Sequence, residues 1–222
     1  MELRDGEVLE SFYNDKQIIQ NVNLYRFTSD SILLSRFAHA KKGDKVADFC
    51  SGSGVVGFHF LCLNPKIASL DLFEMQPSLA EMSGRTAALN GFDCTVHCCR
   101  LQEIGREWDD KFSLILCNPP YEKSGFENES FERAICRKEI TITLQEIIEA
   151  AYRLLKFGGR FDSINRADRT AELIYLLKKR GLEPKKLQFV CGTAGAKPYL
   201  VMIEAVKGGR EGIEILPEAV NG

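Results

Sequence analysis

Val46-Ala-Asp48-Phe-Cys50-Ser51-Gly52-Ser-Gly54-Val-Val-Gly57 is the stretch on which the reading of this chain turns. Its apolar opening reads as a strand and Val55–Leu63 as a helix, so the glycines form a strand-to-helix turn. Glycine there lets the backbone bend tightly and approach a ligand with no Cβ in the way. Two ligand readings stay open. Gly52-Ser-Gly54-Val-Val-Gly57 fits G-x-G-x-x-G, with Asp71 and Glu74 near the distance of a ribose-binding acid in a dinucleotide site. Read from Asp48, the pattern is D-x-x-x-G-x-G, in which a strand-end carboxylate precedes the turn. That carboxylate suits a ligand with a cationic amino-acid end and would repel a pyrophosphate. A glycine turn that binds nothing is the third reading, and the loop alone does not exclude it.

Outward from the turn, strand-like and helix-like segments alternate. Lys45–Cys50, Ile67–Phe73, Cys94–Cys99, Lys111–Cys117 and Arg160–Asn165 read as strands. Pro77–Asn90 is a helix closed by Gly91, Leu144–Lys156 a helix stopped by Gly158-Gly159, and Arg169–Arg180 a helix ended by Gly181. Lys186–Cys191 and Tyr199–Val206 close as an antiparallel pair. This alternation predicts an α/β fold with a mostly parallel sheet covered on both faces. Before it, Val8–Ile19 reads as a hairpin around Asn14-Asp15, and Ser29–Ala40 as a helix after a Thr-Ser-Asp cap signal. Three segments are expected: residues 1–40, a hairpin and helix over the ligand site; 41–207, the α/β domain; and 208–222, a tail. The tail after Lys207 and the loop Glu122–Glu132 read as disordered.

The 222 residues are 45% hydrophobic and 27% charged, values that exclude a disordered or fibrous chain. No apolar run approaches the ~20 residues of a membrane span, and the acidic start MELRDGEVLESFYND lacks a signal-peptide core, so a cytoplasmic protein is expected. The net charge of −2 excludes a basic nucleic-acid coat, yet Arg153–Lys197 carries 11 bases against four acids. Such an excess could face phosphates or form a solvated helix face. Eight cysteines contain no C-x-x-C pair. In Cys94-Thr-Val-His97-Cys98-Cys99, strand alternation turns Cys94 and Cys98 away from His97 and Cys99, so four ligands cannot converge and no metal is expected. His39, His59 and His97 read as packing or surface residues, and Trp108 as a packing anchor.

The second decisive motif is Asn118-Pro119-Pro120-Tyr121, directly after the apolar strand Phe112–Cys117. Each proline locks its own φ and restricts the residue before it, so the four residues form a rigid polar clamp. The Asn118 side-chain oxygen and the Pro119 carbonyl become fixed acceptors for a planar exocyclic amine. Tyr121 offers a face for stacking a planar substrate. The amine lone pair gains availability as its N–H bonds polarise, and the alkylated nitrogen sheds its own proton, so no general base is needed. A Pro-Pro turn with a packing tyrosine is the bland alternative.

Together the two motifs resemble a class I S-adenosylmethionine-dependent methyltransferase, whose first motif runs D-x-G-x-G-x-G. Cys50 occupies the first glycine position. Glu74, 26 residues beyond Asp48, matches the acid that receives the ribose hydroxyls. A narrower resemblance spans most of the chain. Phe27-Thr28-Ser29-Asp30-Ser31-Ile32-Leu33-Leu34, the glycine turn, N-P-P-Y, Arg137-Lys138-Glu139-Ile140-Thr141, Leu154–Arg160 and Pro198-Tyr199-Leu200-Val201 resemble, in order, the bacterial tRNA(Val) adenine N(6)-methyltransferase family. The resemblance implies a Rossmann-like, seven-stranded, mostly parallel sheet with an antiparallel last strand, and methyl transfer to an adenine amine in tRNA. It implies S-adenosylmethionine against Thr28, Asp48, Cys50, Ser51, Gly52, Gly54, Glu74, Met75, Leu101 and Asn118, and catalysis by Asn118, Pro119, Pro120 and Tyr121.

Where the family carries an acid near the cofactor adenine, this chain reads Cys99-Arg100-Leu101-Gln102, with Gln102 a possible substitute acceptor. Arg133, Arg137 and Lys138, with Lys178, Lys179 and Arg180 on the basic helix, are the expected phosphate contacts, and Phe126 a loop aromatic that could stack on nucleotides. Runner-up substrates are a protein glutamine or an rRNA guanine. From other classes, a nicotinamide-linked oxidoreductase rests on Gly52–Gly57 alone, and a catalytically silent RNA-binding module on Arg100 and the sparse basic charge.

Overall fold

The computed structural model describes residues 2–24, 27–119 and 142–221. Pro120, Tyr121, Phe126, Arg133, Arg137, Lys138 and the loop Glu122–Glu132 lie outside the described residues. The chain opens with an antiparallel hairpin, β1 (Glu7–Tyr13) and β2 (Lys16–Asn21), turning at Asn14 in the left-handed region. Asn tolerates that conformation, which is why the Asn-Asp pair marks the turn. α1 (Ser29–Phe37) follows, and then the sheet begins.

Alternation of strand and helix continues through β3 (Lys45–Phe49), α2 (Val55–Leu63), β4 (Ser69–Glu74), α3 (Pro77–Asn90), β5 (Thr95–Cys98) and β6 (Phe112–Cys117). After residue 142 come α4 (Leu144–Leu154), β7 (Leu155–Arg166), α5 (Thr170–Arg180), β8 (Leu182–Cys191) and β9 (Leu200–Lys207). The seven long strands lie in the order β8-β9-β7-β6-β3-β4-β5, all parallel except β9, which is antiparallel to both its neighbours. All six residues of β6 are buried because helices cover both faces, which is why it reads as an unbroken apolar run. On one face α1, α2 and α3 pack through Leu34, Val55, Phe58 and Ala87; on the other, α4 and α5 pack through Ile147, Leu154, Leu173 and Leu177. α4 starts at a capping box: Glu146 N–H donates to Thr143 Oγ1 at 3.2 Å and Thr143 N–H to the Glu146 carboxylate at 2.7 Å. The hairpin lies against α3, where Ile19 N–H donates to Thr86 Oγ1 and Arg85 pairs with Glu7.

Two sequence expectations are corrected. Gly158-Gly159 does not stop a helix. α4 ends at Leu154, and the two glycines sit in a bulge inside β7, between the pairs Phe112↔Leu155 and Leu114↔Arg160. A Cβ on Gly159 would stand 2.8 Å from the Lys156 carbonyl, so the bulge closes only with glycine there. The tail is not disordered. Glu214–Ile215 (β10) and Ala219–Val220 (β11) pair in parallel with β8, which would otherwise leave its outer main-chain groups open at the sheet edge. Strands of two residues carry no hydrophobic period, so nothing in the sequence marks them.

Candidate functional site

β3 and β6 are neighbours in the middle of the sheet, and their onward connections leave in opposite directions. Their carboxyl ends therefore bound a crevice at the topological switch point. Two of the sequence motifs meet there, because Phe49 registers against Cys117, one residue before the glycine turn and one before Asn118.

The turn is built from left-handed residues: Cys50 at φ 54°, Gly52 at 56° and Gly54 at 87°. Cys50 thus adopts the backbone conformation for which glycine is the usual choice, and the departure from D-x-G-x-G leaves the turn intact. Gly54 has no alternative, since a Cβ would stand 2.4 Å from the Phe58 ring. Among the described residues a Cβ on Gly52 would meet nothing within 4 Å, so the turn is open to them on that side. Gly57, the third glycine of the dinucleotide reading, has a packing task. Its N–H donates to Asp48 Oδ2 at 2.9 Å, and a Cβ would lie 3.1 Å from that oxygen.

Glu74 ends β4 beside the turn and is buried. Gly52 N–H donates to its Oε2 and Gln76 N–H to its Oε1, both at 2.8 Å. Ser83 Oγ–H donates to the Gly52 carbonyl at 3.0 Å, tying the turn to α3. Burial raises the Glu74 pKa against these N–H donors. Asp48 is wholly buried; burial, with the Glu74 charge adding, pushes its pKa up to about 8 against the Gly57 hydrogen bond. Among the described residues, Asp48 Oδ1 and Ser51 Oγ are buried with no hydrogen-bond partner.

Asn118 Nδ2 donates to Ser31 Oγ of α1 at 3.2 Å, and Pro119 beside it is buried. Thr28 is the N-cap residue of the same helix, exposed at its start. Met75 is half-buried after Glu74, and Leu101 is buried in the core beneath. Gln102 is turned to α4, its Nε2 donating to Glu146 Oε1 at 3.3 Å, and Arg100 is exposed.

Lys178, Lys179 and Arg180 are not brought to this crevice. They end α5 at the opposite, amino edge of the sheet, where Lys178 pairs with Glu183 at 3.2 Å and Arg180 pairs with Glu149 and lies over the Tyr152 ring. Sequence reasoning assigned no part to Ser31, Ser83 or Gly57. Ser31 carried a signal within the Phe27–Leu34 motif and Gly57 as the third glycine of G-x-G-x-x-G; Ser83 carried none. His59 accepts or donates with Ser35 Oγ at 2.7 Å and His97 lies 2.9 Å from Asp71, both away from the crevice. Trp108 stacks on Phe112 as a packing anchor.

A sheet in this order, with β9 reversed between β7 and β8, a glycine turn after the central strand and a buried acid ending the next, defines the class I methyltransferase fold. The chain belongs to the methyltransferase small domain family, whose model matches residues 28–180. It is similar to a tRNA1(Val) (adenine(37)-N6)-methyltransferase of Photobacterium profundum, 26% identical over 183 residues, which are 80% of this chain and 75% of that protein. A protein of the same description from Flavobacterium psychrophilum is 23% identical over 177 residues, 78% of this chain and 75% of that one. In structure the chain is similar to a predicted O-methyltransferase from Agrobacterium tumefaciens, with a TM-score of 0.70 at 18% identity and 86% of each chain covered. That likeness concerns the fold alone.

The methyl donor of this class is S-adenosylmethionine, and the residues present fit it. The open side of Gly52 gives room for close approach. Each Glu74 oxygen holds one backbone N–H and keeps acceptor capacity for a hydroxyl. The unpartnered Asp48 Oδ1 lies under a turn that a cationic ligand could approach. The dinucleotide reading is set aside by the family match, by the reversed β9 and by the buried Asp48 carboxylate.

Proposed function

We propose that this methyltransferase modifies the exocyclic N6 amine of an adenine in a tRNA anticodon loop. The observation that carries the reading is the position of Asn118-Pro119, one strand away from the Asp48–Gly52–Glu74 cradle at the same sheet edge. The relatives described above, tRNA1(Val) (adenine(37)-N6)-methyltransferases, support the same nucleoside.

When bound, S-adenosylmethionine supplies an electrophilic methyl group on a sulfonium. Glu74 would hold the ribose hydroxyls, and Asp48 would balance the cationic end. Asn118 Oδ1 and the Pro119 carbonyl would accept the two N–H bonds of the adenine amine, polarising them and aiming the nitrogen lone pair at the methyl group. Catalysis on this account is mainly orientation of two bound groups. The proton leaves the alkylated nitrogen after transfer, so no side chain has to remove it beforehand. An anticodon-loop adenine is already single-stranded, which makes its extrusion into the crevice inexpensive, about a few kcal/mol at most.

The test is turnover on unmodified tRNA with mass spectrometry of the nucleosides, wild type against Asn118→Ala. N6-methyladenosine should form with the wild type. Turnover should fall by about 10²-fold in Asn118→Ala, as when one preorganised hydrogen-bonding group is removed from an active site. Cofactor affinity should change far less. Near-normal turnover in the variant would sink the clamp mechanism, and methylation of another nucleoside would sink the substrate.

A further inference from the structure

α1 carries Ser31 to Asn118, yet it is poorly equipped to hold its own first turn. It has nine residues, Ser29-Asp-Ser-Ile-Leu-Leu-Ser-Arg-Phe37, three of them serines, and among the described residues Thr28 accepts no cap hydrogen bond from a backbone N–H, its side chain pairing instead with Asp30. Short helices of such composition are marginal without outside contacts. The contact on the ligand side is Asn118 Nδ2 to Ser31 Oγ, with Ser31 buried. Nδ2 is the donor side of the amide and Oδ1 its acceptor side, so this bond fixes which way round the Asn118 amide lies.

The contact on the other side comes from residue 221. Asn221 Nδ2 has two N–H bonds, and it donates to Ser29 Oγ at 2.7 Å and to the Tyr199 hydroxyl at 2.6 Å. Asn221 is itself anchored, its backbone N–H donating to the Cys191 carbonyl at 2.9 Å as β11 ends along β8. Further back, Gln188 Nε2 donates to the Pro217 carbonyl at 2.8 Å and Gly195 N–H to Glu218 Oε1 at 2.8 Å. The strap over residues 208–221 therefore runs along the outer edge of β8 and ends as a bracket between Tyr199, just before β9, and the start of α1.

We propose that Asn221 is a positioning residue: by fixing the first turn of α1 to Tyr199, just before β9, it keeps Ser31 against Asn118 and so sets which atom of Asn118 meets the substrate amine. The inference rests on the amine-methylation reading above.

Two measurements on Asn221→Ala test it. Hydrogen–deuterium exchange should rise in the peptide covering 29–37 and stay unchanged in β3, β4 and β6. Turnover should fall about three- to tenfold, in keeping with the loss of two partly exposed hydrogen bonds, with the KM for tRNA unchanged. The double variant Ser31→Ala with Asn221→Ala should be no slower than Ser31→Ala alone, because residues acting through one another are not additive. Unchanged exchange over 29–37, or additive losses in the double variant, would overturn the proposal. A wild type that methylates no tRNA would overturn the substrate reading, while the exchange result would still decide whether Asn221 holds α1.

Discussion

The two edges of the sheet handle charge in opposite ways. At the amino edge Lys178 and Arg180 have carboxylate partners close by. Arg153 donates to the Ile104 carbonyl at 2.6 Å and pairs with Asp109; Lys207 donates to Asp110 and to the Leu155 carbonyl, both at 2.7 Å. At the carboxyl edge, Asp48 and Glu74 are buried with backbone N–H donors and, among the described residues, with no cation paired to either. Buried carboxylates held this way are strained toward the protonated form. One edge joins helices to strands. The other is left electrostatically incomplete in a manner that a cationic, hydroxyl-bearing ligand would complete.

Breaking the incomplete edge should have the largest effect. Glu74→Ala removes the carboxylate proposed to hold the ribose hydroxyls and also frees the Gly52 and Gln76 N–H groups. S-adenosylhomocysteine binding should weaken by about 2–4 kcal/mol, read by calorimetry. Equal affinity in the variant would remove Glu74 from the site.

The pH dependence sharpens the same contrast. Asp48 has a folded pKa of about 8, above its unfolded value. Its contribution to stability is therefore complete below the ordinary carboxylate range and is lost as pH rises toward 8. A cationic ligand beside Asp48 favours the carboxylate, so binding releases a proton and S-adenosylmethionine affinity should rise between pH 6 and pH 8, by up to about tenfold per unit. Asp48→Asn should flatten that rise. A pH-independent affinity in the wild type would mean that the carboxylate does not face the cation.

The smallest effect is expected at the satisfied edge. Lys178 and Arg180 already have carboxylate partners, whereas Lys179 lies 5.8 Å over the Tyr175 ring with no carboxylate partner among the described residues. Neutralising all three should lower the salt dependence of tRNA binding by about 0.7–0.9, the slope of a single phosphate contact. A slope unchanged from wild type would make this edge purely structural.

What the sequence made legible follows from the range of the interactions. The glycine turn was readable because its determinants are local: positive φ at Gly52 and Gly54, and a strand and helix on either side. Glu74 was readable because the strand-helix-strand unit spaces it regularly from Asp48. Ser31 was quoted within a motif, but its contact with Asn118 joins residues 87 apart and has no periodic signature. The Gly158-Gly159 bulge was misread because glycine pairs end helices and bend strands alike, and only pairing with β6 decides between them. The basic run over Lys178–Arg180 was correctly seen as a cluster, but its edge of the sheet depends on the direction in which α5 runs.

The bond from Asn221 to Ser29 spans 192 residues. A chain is made from its amino end, and its early parts begin to fold as they emerge. Here the first turn of α1 receives one of its fastenings from a residue made 192 positions later. All seven long strands end by Lys207, so the sheet can form while the bracket over α1 still waits for Asn221. The order of synthesis thus places the cradle around Asp48 and Glu74 ahead of the last contact on α1.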